Sequence, residues 1–368
     1  MVDLEVLFSQ GFSSYQANRY ECEPLTIDKW LASSALQKAI RRGNEAEALS
    51  CARLLLNVDA QRLWRRLGII AIEDIGVADI EVVGQTLWAS RSKARRSAYG
   101  DEWHVASYLV GSLCRALKSR DTDDLASIAD RHPDLAEYRM ELVCAPTSVL
   151  CDVLADPNQQ LPARALAGWF LGGTTKFWAP YLPERPGNIG DVIDVYRHVG
   201  MPEYLLSIVE AGAAKERGAL PINLGLLWLH LTAVGAACGA DGDVEDVRPV
   251  SLGKINGVSS EAYDMHTRSG KRSIAYFVKA CSPVRDYLSR YVPDQALYGL
   301  VSSIVFRVES ARVDRRLDYE GSDEIQAMAN VAEVVHHGFP ADRVVEALEI
   351  VCRHLPDLHR ARLRVVER

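Results

Sequence analysis

The sequence has almost no strand signal: no stretch sustains an apolar–polar alternation between turn residues. That absence leaves an all-α chain as the expected fold class, built as a multi-helix bundle or an irregular α-solenoid. No fixed repeat period is present, so no standard repeat family is implied. The eight cysteines, Cys22, Cys51, Cys114, Cys144, Cys151, Cys238, Cys281 and Cys352, include no C-x-x-C pair. Scattered thiols in apolar helical contexts predict free, buried cysteines in a reducing cytosol. The longest apolar run, Leu224 to Cys238, is interrupted by His230 and Thr232. A bilayer span needs roughly 20 apolar residues, so no membrane association is expected. No basic segment followed by an apolar run opens the chain, and a cytoplasmic location is expected.

Phosphate loops and metal loops are also missing. Gly172-Gly173-Thr174-Thr175-Lys176 lacks the first glycine and the spacing of a Walker A motif. Gly270-Lys271 has Met265 where the first glycine belongs and Arg272 where Ser or Thr must follow the lysine. The acidic segment from Asp241 to Asp246 lacks the spacing of a calcium loop. His336 and His337 are adjacent and face different ways. No metal and no cofactor are expected.

What is present is ordinary globular material. Hydrophobic residues make 48% of the chain and charged residues 25%, enough to bury a core. The length of 368 residues suggests two domains or one elongated array. Residues 1–32 read as a leader, 33–238 as a helical domain, 239–256 as an acidic linker and 257–368 as a C-terminal helical domain. Helices are expected at 101–118, 121–130, 133–143, 147–155, 161–171, 190–199, 202–214 and 220–237. Pro162, Pro202 and Pro221 sit where a first helical turn accepts proline. A first helix is expected from Ser33 or Ser34 to Gly43, and Leu297 to Arg316 reads as one amphipathic helix.

The chain is organised around the stretch from Arg62 to Asp79. Leu63, Leu67, Ile70, Ala71 and Asp74 share one helical face, and Arg62, Arg66, Ile69 and Glu73 form the neighbouring row. Gly76 fits a helix stop and Asp79 an N-cap for the next helix. Asp74 leans toward the apolar face in a last turn, where the macrodipole alone costs roughly 0.3–1 kcal/mol. It therefore needs a partner, an arginine or the N–H groups of another helix start. Arg66, Glu73, Asp74 and Asp79 are read as a structural polar corner.

Residues Ser34 to Leu49, followed by Arg65, Arg66, Leu67, Ile70, Ala71, Glu73, Asp74, Ile75, Gly76, Ala78 and Asp79, resemble the helical module of the RarA/MgsA family. These are clamp-loader-like AAA+ proteins linked to stalled replication forks. The resemblance covers about residues 33–92 and rests on spacing and on the EDIG-x-AD string. It implies clamp-loader-collar-like helices, a tendency to self-associate and a link to DNA metabolism. Only about thirty residues precede the match, so the ATPase core of that family is not expected, and ATP hydrolysis is not implied.

Two stretches carry cations. Arg91, Lys93, Arg95 and Arg96 join two helices ahead of Tyr99 and Trp103, an arrangement suited to nucleic-acid phosphate. Arg268, Lys271 and Arg272 surround a helix start, a candidate anion site, with Asp264 and His266 beside them. Those two are the best placed acid–base candidates, and a hydrogen-bonded knot fixing the loop is the alternative. The last helix adds a basic tail through Arg353, His354, His359, Arg360, Arg362, Arg364 and Arg368. The net charge of −7 opposes general coating of nucleic acid but not a local basic face. The leading expectation is a non-enzymatic interaction protein of replication or repair machinery, with a protein partner or self-association. A DNA-binding accessory using the 91–96 and 307–316 basic patches, or an enzyme at residues 264–272, are the alternatives.

Overall fold

A computed structural model describes residues 4–15, 22–175, 181–215, 218–238, 242–245 and 252–367. The fold is all-α, as the sequence predicts. In chain order the helices are α1 (Leu4–Ser13), α2 (Lys29–Arg41), α3 (Glu45–Ile70), α4 (Ile80–Ser90), α5 (Lys93–Ser97), α6 (Glu102–Arg115) and α7 (Asp121–Arg131). They continue as α8 (Ala136–Cys144), α9 (Thr147–Ala155), α10 (Leu161–Gly172), α11 (Ile189–His198), α12 (Glu203–Lys215) and α13 (Leu220–Ala233). The last six are α14 (Arg268–Ala280), α15 (Ser282–Leu288), α16 (Asp294–Val305), α17 (Ser322–Val335), α18 (Val344–Arg353) and α19 (Leu355–Val366). No described helix is long and apolar enough to cross a membrane.

The chain forms two compact units, each assembled from three separate stretches. The first holds residues 1–17, 67–245 and 315–332, and the second holds 18–66, 246–314 and 333–368. Chain order suggested a division near 239–256 instead. Residues 239–241 and 246–251, half of that acidic linker, lie outside the described residues.

In the first unit α10 packs on α7, α9, α11 and α13, and α1 packs on α4. The leader thus contributes a core helix: Phe8 stacks on Trp88 at 4.6 Å between ring centroids, edge-on to Tyr99 and Tyr108. The buried amide of Asn223 accepts from Trp169 Nε1 and donates to the Thr122 carbonyl, each at 2.9 Å. Val244–Glu245 pairs antiparallel with Arg316–Leu317, a two-residue ladder.

The second unit packs α14 against α15, α16 and α19, and α16 against α18, around Ile274, Phe277, Leu300 and Val351. α2 starts at Lys29, earlier than Ser33, because the Asp28 carboxylate accepts from the Trp30 and Leu31 N–H groups at 2.8 and 2.9 Å. α3 is kinked at Asp59, whose carboxylate takes the Arg62 N–H at 3.1 Å and so recaps the helix. The helix expected from Leu297 to Arg316 ends at Val305, runs into a wide turn over Phe306–Ser310, and gives way to extended chain at Arg316. Lys254–Ile255 and Val258–Ser259 form a hairpin, closed by Asn256 and Gly257 at φ 52° and 83°. An Asn-Gly pair is the preferred turn for such a hairpin.

All eight cysteines are free. Burial was overestimated from sequence: Cys51, Cys114 and Cys281 are buried, whereas Cys144 and Cys352 are exposed.

Candidate nucleic-acid interface

The 260–267 loop is built to hold the start of α14 still. Asp264 is buried, and its carboxylate accepts from Lys38 Nζ, from Ser34 Oγ at 3.2 Å and from the His266 N–H at 2.9 Å. Burial alone would raise this carboxyl, but Lys38 and then His266 hold it below the ordinary aspartate value. Thr267 caps α14 by accepting from the Gly270 N–H at 3.1 Å, and its hydroxyl donates back to the Asp264 carbonyl. Gly270 is needed there because a Cβ would stand 2.0 Å from that carbonyl oxygen. The glycine therefore serves close packing of the loop. The partner of Asp264 is a lysine from α2, a residue that sequence reasoning did not connect to the loop.

A second polar layer locks α19 to the same loop. Arg362 is buried and grips both Glu309 oxygens at 2.7 and 2.6 Å. It also donates to Ser260 Oγ and to the Tyr263 carbonyl, both at 3.1 Å. Arg42 pairs with Glu261, and His359 Nδ1 meets Ser260 Oγ at 2.9 Å. Arg362 is thus a structural residue, not part of an exposed basic tail.

These layers fix the inward sides of α14 and α19 and leave their outward sides cationic. Arg268, Lys271, Arg272 and Lys279 are exposed on α14, at the three- and four-residue spacings that share one helical face. Tyr276, half-buried, lies in the same row. The exposed Arg364 of α19 places its guanidinium 5.1 Å from the Tyr276 ring. α14 contains no acidic residue, and none of its four cations has a carboxylate partner among the described residues. The row spans about 16 Å at the helical rise. His266 is exposed beside its start and lies edge-on to Phe306.

The other cationic stretch is spent differently. Arg96 is buried and donates to the Ala89 carbonyl at 2.9 Å and to Glu102 at 2.6 and 3.1 Å. Arg95 lies over Trp88, 5.9 Å from the ring centroid. Arg91 and Lys93 stay exposed on and beside the short α5.

No family model, curated protein or solved structure matches the chain.

The polar corner around Asp74 belongs to the first unit. Asp74 is completely buried and pairs with Arg120, which also reaches Glu73 at 3.2 Å and Asp123. The required arginine thus comes from the start of α7. Thr122 Oγ1 donates to the Ile72 carbonyl at 2.7 Å, and Gly76 at φ 54° lets the Ser119 carbonyl come close. Asp79 caps α4 through the Val82 N–H at 3.1 Å, and burial raises its carboxyl. Arg66 sits in the second unit, where it donates to Gln37 Oε1 at 3.2 Å.

Proposed function

We propose that this chain is a non-enzymatic helical accessory protein that holds nucleic-acid phosphates on the outward face of α14 and α19. The observation that carries the reading is the row Arg268, Lys271, Arg272 and Lys279 interleaved with Tyr276, on a chain whose net charge is −7. Cations concentrated on one face of an acidic protein create a local positive potential where a phosphate backbone binds by counterion release. Tyr276 and Arg364 add a stacking edge that tolerates any base.

The resemblance of residues 33–92 to the RarA/MgsA module supplies the setting, DNA replication or repair, with self-association or a protein partner. A non-enzymatic role is favoured because Asp264, the best placed acid–base candidate, is engaged by Lys38 and Ser34.

Fluorescence anisotropy with single-stranded and forked DNA at low and moderate salt tests the proposal. The expected result is tight binding that weakens steeply with salt, lost by about 10–100-fold in Lys271→Glu/Arg272→Glu. Absence of binding at low salt, or wild-type affinity in that variant, removes it.

A further inference from the structure

Two helix corners of the second unit meet at a place the nucleic-acid reading does not use. Cys281 lies between α14 and α15, and His354 lies between α18 and α19, with Asp357 one turn later. Cys281 Sγ, a ring nitrogen of His354 and a carboxylate oxygen of Asp357 all lie within 4.8 Å of one another. His354 Nδ1 and Asp357 Oδ2 are already 2.8 Å apart. Cys281 is buried, while the other two are half-buried.

We propose that Cys281, His354 and Asp357 form a zinc-class metal site with a fourth position open to water. One thiolate, one imidazole and one carboxylate make a borderline-soft set, which suits Zn²⁺ or Co²⁺ and is poor for the all-oxygen demands of Mg²⁺ and Ca²⁺. Ligand bonds of roughly 2.0–2.3 Å in a tetrahedron separate the donor atoms by about 3.2–3.8 Å, so small side-chain rotations close the site. Arg360 occupies the other oxygen of Asp357, Oδ1, and leaves Oδ2 facing the cluster. A histidine and an aspartate three residues apart on a helix often pair for local reasons alone. The third donor reaches the same point from a different helix corner, which a local pair does not need. On coordination the Cys281 thiol gives its proton to water as its sulfur bonds the metal, with no change in oxidation state. The metal would fasten the C-terminal end of α14 to the N-terminal end of α19, the two helices that carry the cationic row. The assignment stands independently of nucleic-acid binding.

The test is titration of the chelator-stripped full chain with Co²⁺, followed by displacement with Zn²⁺. One equivalent of Co²⁺ should produce a thiolate-to-cobalt charge-transfer band together with the strong visible bands of a tetrahedral ion, and Zn²⁺ should bleach both. Cys281→Ser should abolish the charge-transfer band, and Asp357→Asn should weaken Zn²⁺ binding by roughly 10-fold or more. Cys352→Ser removes the exposed thiol two residues before His354 and should leave the spectrum intact. Circular dichroism checks the fold of each variant. If Cys281→Ser does not fold, the wild type, Asp357→Asn and Cys352→Ser still decide. A wild type without the charge-transfer band, a band that persists in folded Cys281→Ser, or one lost in folded Cys352→Ser overturns the assignment, as does unchanged Zn²⁺ affinity in Asp357→Asn.

Discussion

The two units handle buried charge differently. In the second, each buried acid has a cation of its own: Asp264 with Lys38, Glu261 with Arg42, Glu309 with Arg362 and Glu47 with Lys254. Its further cations then stand on the surface of α14. In the first, Arg120 is shared by Glu73, Asp74 and Asp123, and buried Asp121 faces Asp124. There the cation-rich 91–96 stretch gives up Arg96 to the interior. A cationic string in a sequence thus has two fates, and which one applies depends on how many acids fold in beside it.

The largest expected effect breaks a one-to-one pair. Lys38→Met leaves Asp264 buried without its cation and should destabilise the fold by about 3–5 kcal/mol. Adding Asp264→Asn to that variant should recover part of the loss, read from denaturant midpoints as a double-mutant cycle. Next, Arg268→Glu/Lys271→Glu/Arg272→Glu should weaken single-stranded DNA binding about 100-fold. It should also reduce the slope of log affinity against log salt by about 2, with an unchanged melting temperature. Arg96→Ala should do the reverse, costing about 2 kcal/mol of stability while the folded protein keeps its DNA affinity. Equal losses of affinity in the two variants would dissolve the distinction between displayed and interior cations.

The smallest effect concerns pH. Burial first, and Asp124 next, push the Asp121 carboxyl up to about 6, while Tyr319 and Ser119 hydroxyls at 2.8 and 2.9 Å pull against that rise. A folded pKa above the unfolded one means that the proton stabilises the fold. That contribution is complete below about pH 4 and is lost as pH rises through 6. Asp121→Asn should therefore match wild type near pH 4 and exceed it by on the order of 1–2 kcal/mol at pH 7, measured by urea melts at both pH values. Asp264, held low by Lys38, runs the other way, and its contribution fades as pH falls through the carboxylate range.

Helix class and most helix limits were legible from apolar spacing, and so were local caps: Asp79 before α4, Gly76 at positive φ, Pro162 and Pro221 in first turns. The need of Asp74 for an arginine was legible too, but not which one, because Arg120 lies 46 residues away. Long-range partners leave no local trace, which is why Lys38 was not connected to Asp264. The Asn256-Gly257 turn was visible in principle, though the strands it joins are two residues long and fall below any alternation signal. The α14 row was half seen. Arg268, Lys271 and Arg272 stand out as sequence neighbours, while Tyr276 and Lys279 fall on their face only because one helix runs unbroken from Arg268 to Ala280.

The pairing of Lys38 with Asp264 also sets a timetable. The two residues are separated by 226 positions, and at roughly 5–20 residues per second a ribosome needs about 10–45 s to deliver the second after the first. Arg362, which grips Glu309, comes later still. Through that interval α2 must keep a lysine hydrated that the finished protein buries. The second unit therefore stays incomplete until Arg362 has been made, and the nascent chain carries an unfinished apolar face through that interval.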